Sequence, residues 1–190
     1  MAGPFAKVTP VPVLPTFVWV HELPPERAIV LNAQILGALE DLLGPLPRVQ
    51  GFRTVQTEQT LHRYAALAPL LELIEAAVAN VLERMAVETR TFAITGCWAN
   101  FSQPGSAHLP HHHANNFLSG VYYVQAPGGA DRITFHDPRP QREIIEPVYT
   151  RPNPFNRMDQ DVPVSPGTIV IFPGWITHSV KPNRSEGQRL

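Results

Sequence analysis

The sequence predicts an α+β fold, helices first and strands after, with the helices packed on the outside of a β-sandwich. Three observations carry this. Two stretches in the first ninety residues repeat apolar side chains at helical spacing. Short β-branched runs, punctuated by Gly/Pro turns, fill the second half. The 21 prolines favour a loop-rich, strand-based chain over a helical bundle. At 190 residues the chain suits a single domain, 1–190, with a helical support region over 1–90 and a strand-rich core over 91–190.

The elements follow in order. Val8 to Leu14, broken by Pro10 and Pro12, and Phe17 to Val20 read as sheet-edge segments, where missing amide protons are tolerated. Pro24 to Leu43 reads as a helix opened by Pro24-Pro25 and stopped by Gly44-Pro45, with Ile29, Leu36, Leu39, Leu42 and Leu43 as its apolar stripe. Residues 45–58 look like a polar loop or hairpin. A second helix spans Pro69 to Val87, its core stripe running from Leu70 through Ala77 and Val81 to Met85. Strands are expected at Thr91–Phe101, Phe117–Val124, Arg132–His136, Ile144–Val148 and Thr168–Phe172. The proline-rich segment 138–163 lies between core strands and reads as a substrate-binding loop or lid.

Composition narrows the function. A net charge of −1 gives no electrostatic case for nucleic acid or an anionic membrane. Cys97 is the only cysteine, which excludes an internal disulfide and a cysteine-based zinc site. No apolar run approaches bilayer length and no charged n-region opens the chain, so a cytoplasmic protein is expected. Lys7 and Lys181 are the only lysines, so an anion site must rely on arginine.

The chemistry concentrates in His108-Leu109-Pro110-His111-His112-His113 and in His178. Two residues apart, His111 and His113 share a face if the segment is extended, with His112 turned away. Ser165-Pro166-Gly167 leads into a buried strand, and Pro173-Gly174-Trp175 then carries the chain to His178 at a sheet rim. Arg189 follows eleven residues later, with the planar fork that binds carboxylates in bidentate fashion. Beside His136, Asp137 reads as half of a turn-stabilising pair or as an alternative oxygen ligand.

These residues, with Trp98-Ala99-Asn100, Asn116 through Tyr123, and Phe135-His136-Asp137-Pro138-Arg139, give the chain a clear family resemblance over residues 95–190. It resembles the Fe(II)/2-oxoglutarate-dependent oxygenase superfamily, and more narrowly the mostly uncharacterised 2OG-Fe(II) oxygenase group. The resemblance implies a double-stranded β-helix (jelly-roll, cupin-like) core, with Fe(II) as metal and 2-oxoglutarate as cosubstrate. It implies a dioxygenase that hydroxylates a small molecule or amino-acid-like substrate, consuming O2 and releasing succinate and CO2. His111 and His178 then match the metal histidines, and Arg189 matches the group that grips the far carboxylate of 2-oxoglutarate. Asn100 and one of Tyr122 and Tyr123 would add contacts to the cosubstrate, and Trp98, Phe101 and Trp175 would line the pocket. Relatives in that superfamily continue into a last β-strand after the arginine.

His113 departs from the superfamily pattern, which places a carboxylate there. With one carboxylate, Fe(II) and doubly negative 2-oxoglutarate sum to −1, and with three neutral imidazoles to zero. Two other readings stand beside the first: a three-histidine cupin-type iron dioxygenase independent of 2-oxoglutarate, and a non-catalytic metal-binding jelly-roll module. The expected partners are a small-molecule substrate and O2, with homodimerisation through the helical half.

Overall fold

The computed structural model describes residues 7–47, 53–88 and 91–190. In chain order the elements are β1 (Trp19–Glu22), α1 (Pro25–Leu43), β2 (Thr54–Gln56), α2 (Ala68–Arg84), β3 (Asn100–Ser102), β4 (His108–His111), β5 (Leu118–Tyr122), β6 (Arg132–His136), β7 (Asp159–Pro163), β8 (Thr168–Pro173) and β9 (His178–Val180).

Both helices form where expected. Gly44 ends α1 in the left-handed region, φ 74°, and its amide donates to the Glu40 carbonyl at 2.9 Å. The buried face of α1 is rotated from the expected stripe. Ala28, Leu31, Ile35, Ala38 and Leu39 go inward, whereas Ile29 is 71% exposed. The helix is apolar on several faces, so periodicity alone admits more than one stripe, and the neighbours select the 28-31-35-39 row.

One expectation about membranes is corrected. Ala65–Arg84 is long and apolar enough to cross a bilayer by length and composition, with a hydropathy of 1.7 over its most apolar window. In this fold Leu70, Ala77, Val81 and Leu82 of α2 are buried, while Glu72 and Glu75 lie on the exposed face. Ala77 and Val81 pack against Ile169 and Ile171 of β8.

β8 explains its own sequence. In Thr168-Ile169-Val170-Ile171-Phe172, successive side chains alternate between faces, and every one is buried. Ile169 and Ile171 meet α2 on the outside, whereas Val170 and Phe172 point into the space between the two sheets. β8 is flanked by β1 and β5, so β1 is the edge strand its sequence suggested. Beyond β5 the layer continues through the C-terminal residues. Val124 and Gln125 amides donate to the Leu190 carbonyl at 2.9 and 3.0 Å. Arg189 and Ser102 exchange two backbone bonds of 2.8 and 2.9 Å, which joins β3 and then β2 to the sheet. The second sheet has the order β4-β9-β6-β7. Ile133 and Phe135 of β6 meet Tyr123, Val170 and Phe172 across the gap. The architecture is the jelly-roll core, with the helices against the outer face of the first sheet.

Four strand assignments change. Val8–Leu14, expected at a sheet edge, forms no strand and is exposed along its length, its prolines leaving no amide ladder to pair. Ile144–Val148 forms no strand, and Ile144, Ile145 and Val148 are exposed. The edge position beside β6 is taken instead by the polar run Asp159–Pro163, paired from His136↔Asp159 to Arg132↔Pro163. Charged side chains suit an edge strand with one face in solvent. Of Thr91–Phe101, only Asn100 and Phe101 enter β3. The loop or hairpin expected at 45–58 contains β2, which pairs with β3; residues 48–52 lie outside the described residues.

Candidate active site

Alternation along the strands decides which side chains reach the space between the sheets. In β9, His178 pairs with His111 on one side and with Phe135 on the other, and all three rings share the inner face. His178 is 3% exposed, its ring 4.6 Å from that of Phe172 and 4.3 Å from that of His111.

His113 arrives differently. β4 ends at His111, so His113 is not a strand residue, as the two-residue spacing had suggested. Its backbone amide donates to the Gly174 carbonyl at 2.8 Å, and the Gly174 amide donates to the Phe117 carbonyl at 3.1 Å. A Cβ at position 174 would collide with the Asn116 carbonyl oxygen. Glycine there lets the 113–117 segment close onto the turn after β8, which sets the His113 ring 5.2 Å from that of His178.

Ligand atoms of His111, His113 and His178 all lie within 4.8 Å of one another. Backbone carbonyls orient two of the rings. Nδ1 of His111 donates to the Leu109 carbonyl at 2.7 Å, and Nδ1 of His178 to the Ile176 carbonyl at 3.1 Å. A carbonyl only accepts, so both protons sit on Nδ1, and Nε2 keeps its lone pair for a metal. Burial pushes the His178 pKa down to about 4, with the Ile176 carbonyl opposing and the neighbouring histidines adding to the fall. Burial, then His111 and His112, lowers that of His113. These shifts keep the His178 and His113 rings neutral at pH 7, the form that binds metal.

Asp137 does not join the three rings. Its carboxylate takes a fork from Arg139, Nε at 2.8 Å and Nη2 at 2.6 Å, and caps the Arg139 amide at 3.1 Å. His136 bonds Ser179 instead, Nε2 to Oγ at 2.9 Å, so the two neighbours serve separate partners.

A second polar cluster lines the facing sheet. Arg189 is 4% exposed, and its Nη1 and Nη2 find no hydrogen-bond partner among the described residues. Oη of Tyr123 and Oδ1 of Asn100 are buried and equally unpartnered. Burial lowers the Arg189 pKa and raises that of Tyr123, each group partly offsetting the shift of the other. Unpaired buried polar atoms are rare in folded proteins, and three residues of this kind on one inner wall mark a place built for a polar ligand. Two guanidinium nitrogens and a phenol are what a carboxylate requires.

Tyr122 is corrected as a candidate. Adjacent strand residues face opposite ways, and its hydroxyl donates to Oδ1 of Asn32 in α1 at 2.6 Å. Phe101 likewise packs with the α1 cluster rather than the pocket. Trp98 stands over the metal side, its ring 5.8 Å from that of His113, whereas Trp175 is 55% exposed.

In the sequence His108 belongs to the histidine cluster and reads as a residue shaping the entrance; the fold turns it to the facing sheet instead. Its Nε2 lies 3.2 Å from Ser102 Oγ and 3.4 Å from Thr54 Oγ1, on the facing sheet. Burial, then Arg189 and His111, holds its pKa down to about 4. The alternation with His111 is broken by a bulge between them, and spacing alone could not reveal that both reach the same interior.

A jelly roll with an inward three-histidine cluster facing a buried arginine defines the class of non-haem metal oxygenases. Residues 96–190 match the model of the family described as "Putative 2OG-Fe(II) oxygenase", and the chain belongs to that family. Membership brings Fe(II) and 2-oxoglutarate as metal and cosubstrate, and the donor set here fits both. No curated protein matches the sequence. Among solved structures, the fold is similar to the non-haem α-ketoglutarate-dependent carbocyclase SnoK from nogalamycin biosynthesis, at TM-score 0.63 and 16% identity over 92% of this chain and 76% of that one. A prolyl-4-hydroxylase of Pseudomonas putida gives TM-score 0.59 and 13% identity over 92% and 88%. AviO1 from Streptomyces viridochromogenes Tue57 gives 0.60 and 13% over 92% and 86%.

Proposed function

We propose that this protein is an Fe(II)- and 2-oxoglutarate-dependent dioxygenase that hydroxylates a small molecule or an amino-acid-like substrate. The observation that carries the reading is the unpartnered Arg189 guanidinium, with Tyr123 and Asn100, facing three histidines whose ligand atoms are already turned toward one another. His111, His113 and His178 hold the metal through Nε2 of the two carbonyl-oriented rings and one nitrogen of the third. Arg189 and Tyr123 take the far carboxylate of the cosubstrate, which fixes its keto-acid end toward the metal. Trp98 and the His113 segment shape the side on which substrate enters. When bound, Fe(II) and 2-oxoglutarate supply the O2-dependent oxidation, and the chain supplies orientation and exclusion of water. Solved proteins of this fold include a hydroxylase, an epimerase and a carbocyclase, so product analysis decides among these outcomes.

His113 in place of a carboxylate favours a second reading, a three-histidine dioxygenase that works without 2-oxoglutarate. That reading leaves Arg189 buried with nothing to bind. Anaerobic addition of Fe(II), then 2-oxoglutarate, separates the two. The oxygenase reading requires a visible metal-to-ligand charge-transfer band that disappears in His178→Ala. Iron binding with no such band contradicts it.

A further inference from the structure

We propose that His108 is a second anchor for the far carboxylate of the cosubstrate, positioned beside Arg189 by Ser102 and Thr54. The inference rests on the oxygenase reading above and adds to it a residue that sets the preference for a dicarboxylate. Although β4 belongs to the sheet that carries the metal histidines, the His108 ring reaches across to the other sheet, where Nε2 meets the Ser102 and Thr54 hydroxyls at 3.2 and 3.4 Å. Ser102 is the register partner of Arg189, so the two side chains share a face. Ser102 is itself buried at 1% exposure, which keeps this contact away from bulk water.

Both hydroxyls can donate or accept; in the proposed site one of them donates to Nε2, which leaves the ring proton on Nδ1. Nδ1–H then has no hydrogen-bond partner among the described residues. An ionised carboxylate offers about four lone-pair sites. Nη1 and Nη2 of Arg189 and Oη of Tyr123 supply three donors with no partner among the described residues, and His108 supplies the fourth. The alternative role for this ring is a strut that ties β4 to β2 and β3. A strut acts on the fold and is indifferent to the far end of the ligand.

Calorimetric titration of the Zn(II)-loaded protein, which binds without turnover, separates these roles. The two ligands are 2-oxoglutarate and 2-oxopentanoate, which differ only in the far carboxylate. In His108→Ala, 2-oxoglutarate should bind about tenfold to a hundredfold more weakly, the scale of one hydrogen bond to a charged group, while 2-oxopentanoate is unchanged. His108→Gln keeps a side-chain donor and should recover most of the loss. Equal weakening of both ligands, or unchanged 2-oxoglutarate binding in a variant that melts like the wild type, overturns the assignment. A wild-type protein that binds no 2-oxoglutarate overturns the oxygenase reading together with it; wild-type binding that both variants retain overturns the role of His108 alone.

Discussion

Replacing Arg189 by methionine should stabilise the ligand-free protein and destroy cosubstrate binding. Arg189 is 4% exposed, and the two terminal nitrogens of its guanidinium have no partner among the described residues. Taking an ion out of water costs several kcal/mol unless a partner repays it, and here the partner arrives only with the ligand. Methionine fills much of the same volume without charge, and solvent reaching the cavity offsets part of the penalty. The expected gain is therefore about 1–3 kcal/mol, at the lower end of what replacing buried ions by apolar side chains yields. For a chain of 190 residues that raises Tm by roughly 2–12 °C. Losing one partner of a buried charge pair weakens binding by about 3–5 kcal/mol, a rise in Kd of roughly a hundredfold or more. Thermal melts of the metal-free proteins read the first effect, and 2-oxoglutarate titration of the Zn(II) forms reads the second. A variant that melts below the wild type, or that binds 2-oxoglutarate as well, refutes the reasoning.

Other outcomes follow from the same geometry. Tyr123→Phe removes one phenolic donor and should raise the Kd for 2-oxoglutarate about two- to tenfold, since a neutral hydrogen bond nets about 0.5–1.5 kcal/mol; an unchanged Kd removes Tyr123 from the site. Gly174→Ala puts a Cβ against the Asn116 carbonyl and must displace the segment carrying His113. It should cost about 1–3 kcal/mol of stability and weaken Zn(II) binding in a competitive chelator titration. Acid should destabilise the metal-free protein. In the folded state the pKa values of His178 and His108 are held down to about 4 from 6.5, so between these limits the unfolded chain binds more protons. Their contribution is fully present above about pH 6.5 and is lost as the pH falls toward 4, on the order of 1–3 kcal/mol, read as a lower urea midpoint at pH 5 than at pH 7.5.

Sequence carried the chemistry where alternation or helical period leaves one solution. Thr168–Phe172 is apolar at every position because both its faces are covered, and Tyr122 and Tyr123 had to part company across their strand. Elsewhere tertiary neighbours decide. Ile29 satisfies the period of α1 yet faces solvent, and β-branched Ile144–Val148 yields the edge of its sheet to Asp159–Pro163. His113 looked like a strand residue two along from His111, but its position depends on a backbone contact with Gly174, sixty-one residues away. The inward reach of His108 was not legible because a bulge changes the phase of β4, and because Thr54 and Ser102 come from strands whose pairing is not written in local pattern. Arg189 was recognisable by family resemblance, and what the fold adds is its pairing with Ser102 and its unpartnered guanidinium.

In the proposed function, three histidines and a buried arginine make an oxygenase that consumes 2-oxoglutarate. Anaerobically reconstituted Fe(II) protein, exposed to O2 with 2-oxoglutarate, tests it by the yield of succinate. Succinate should form only with Fe(II), O2 and 2-oxoglutarate together, and none should form in His178→Ala. Oxygen uptake that proceeds equally well without 2-oxoglutarate, or Fe(II) protein that leaves 2-oxoglutarate intact under every condition, would contradict it.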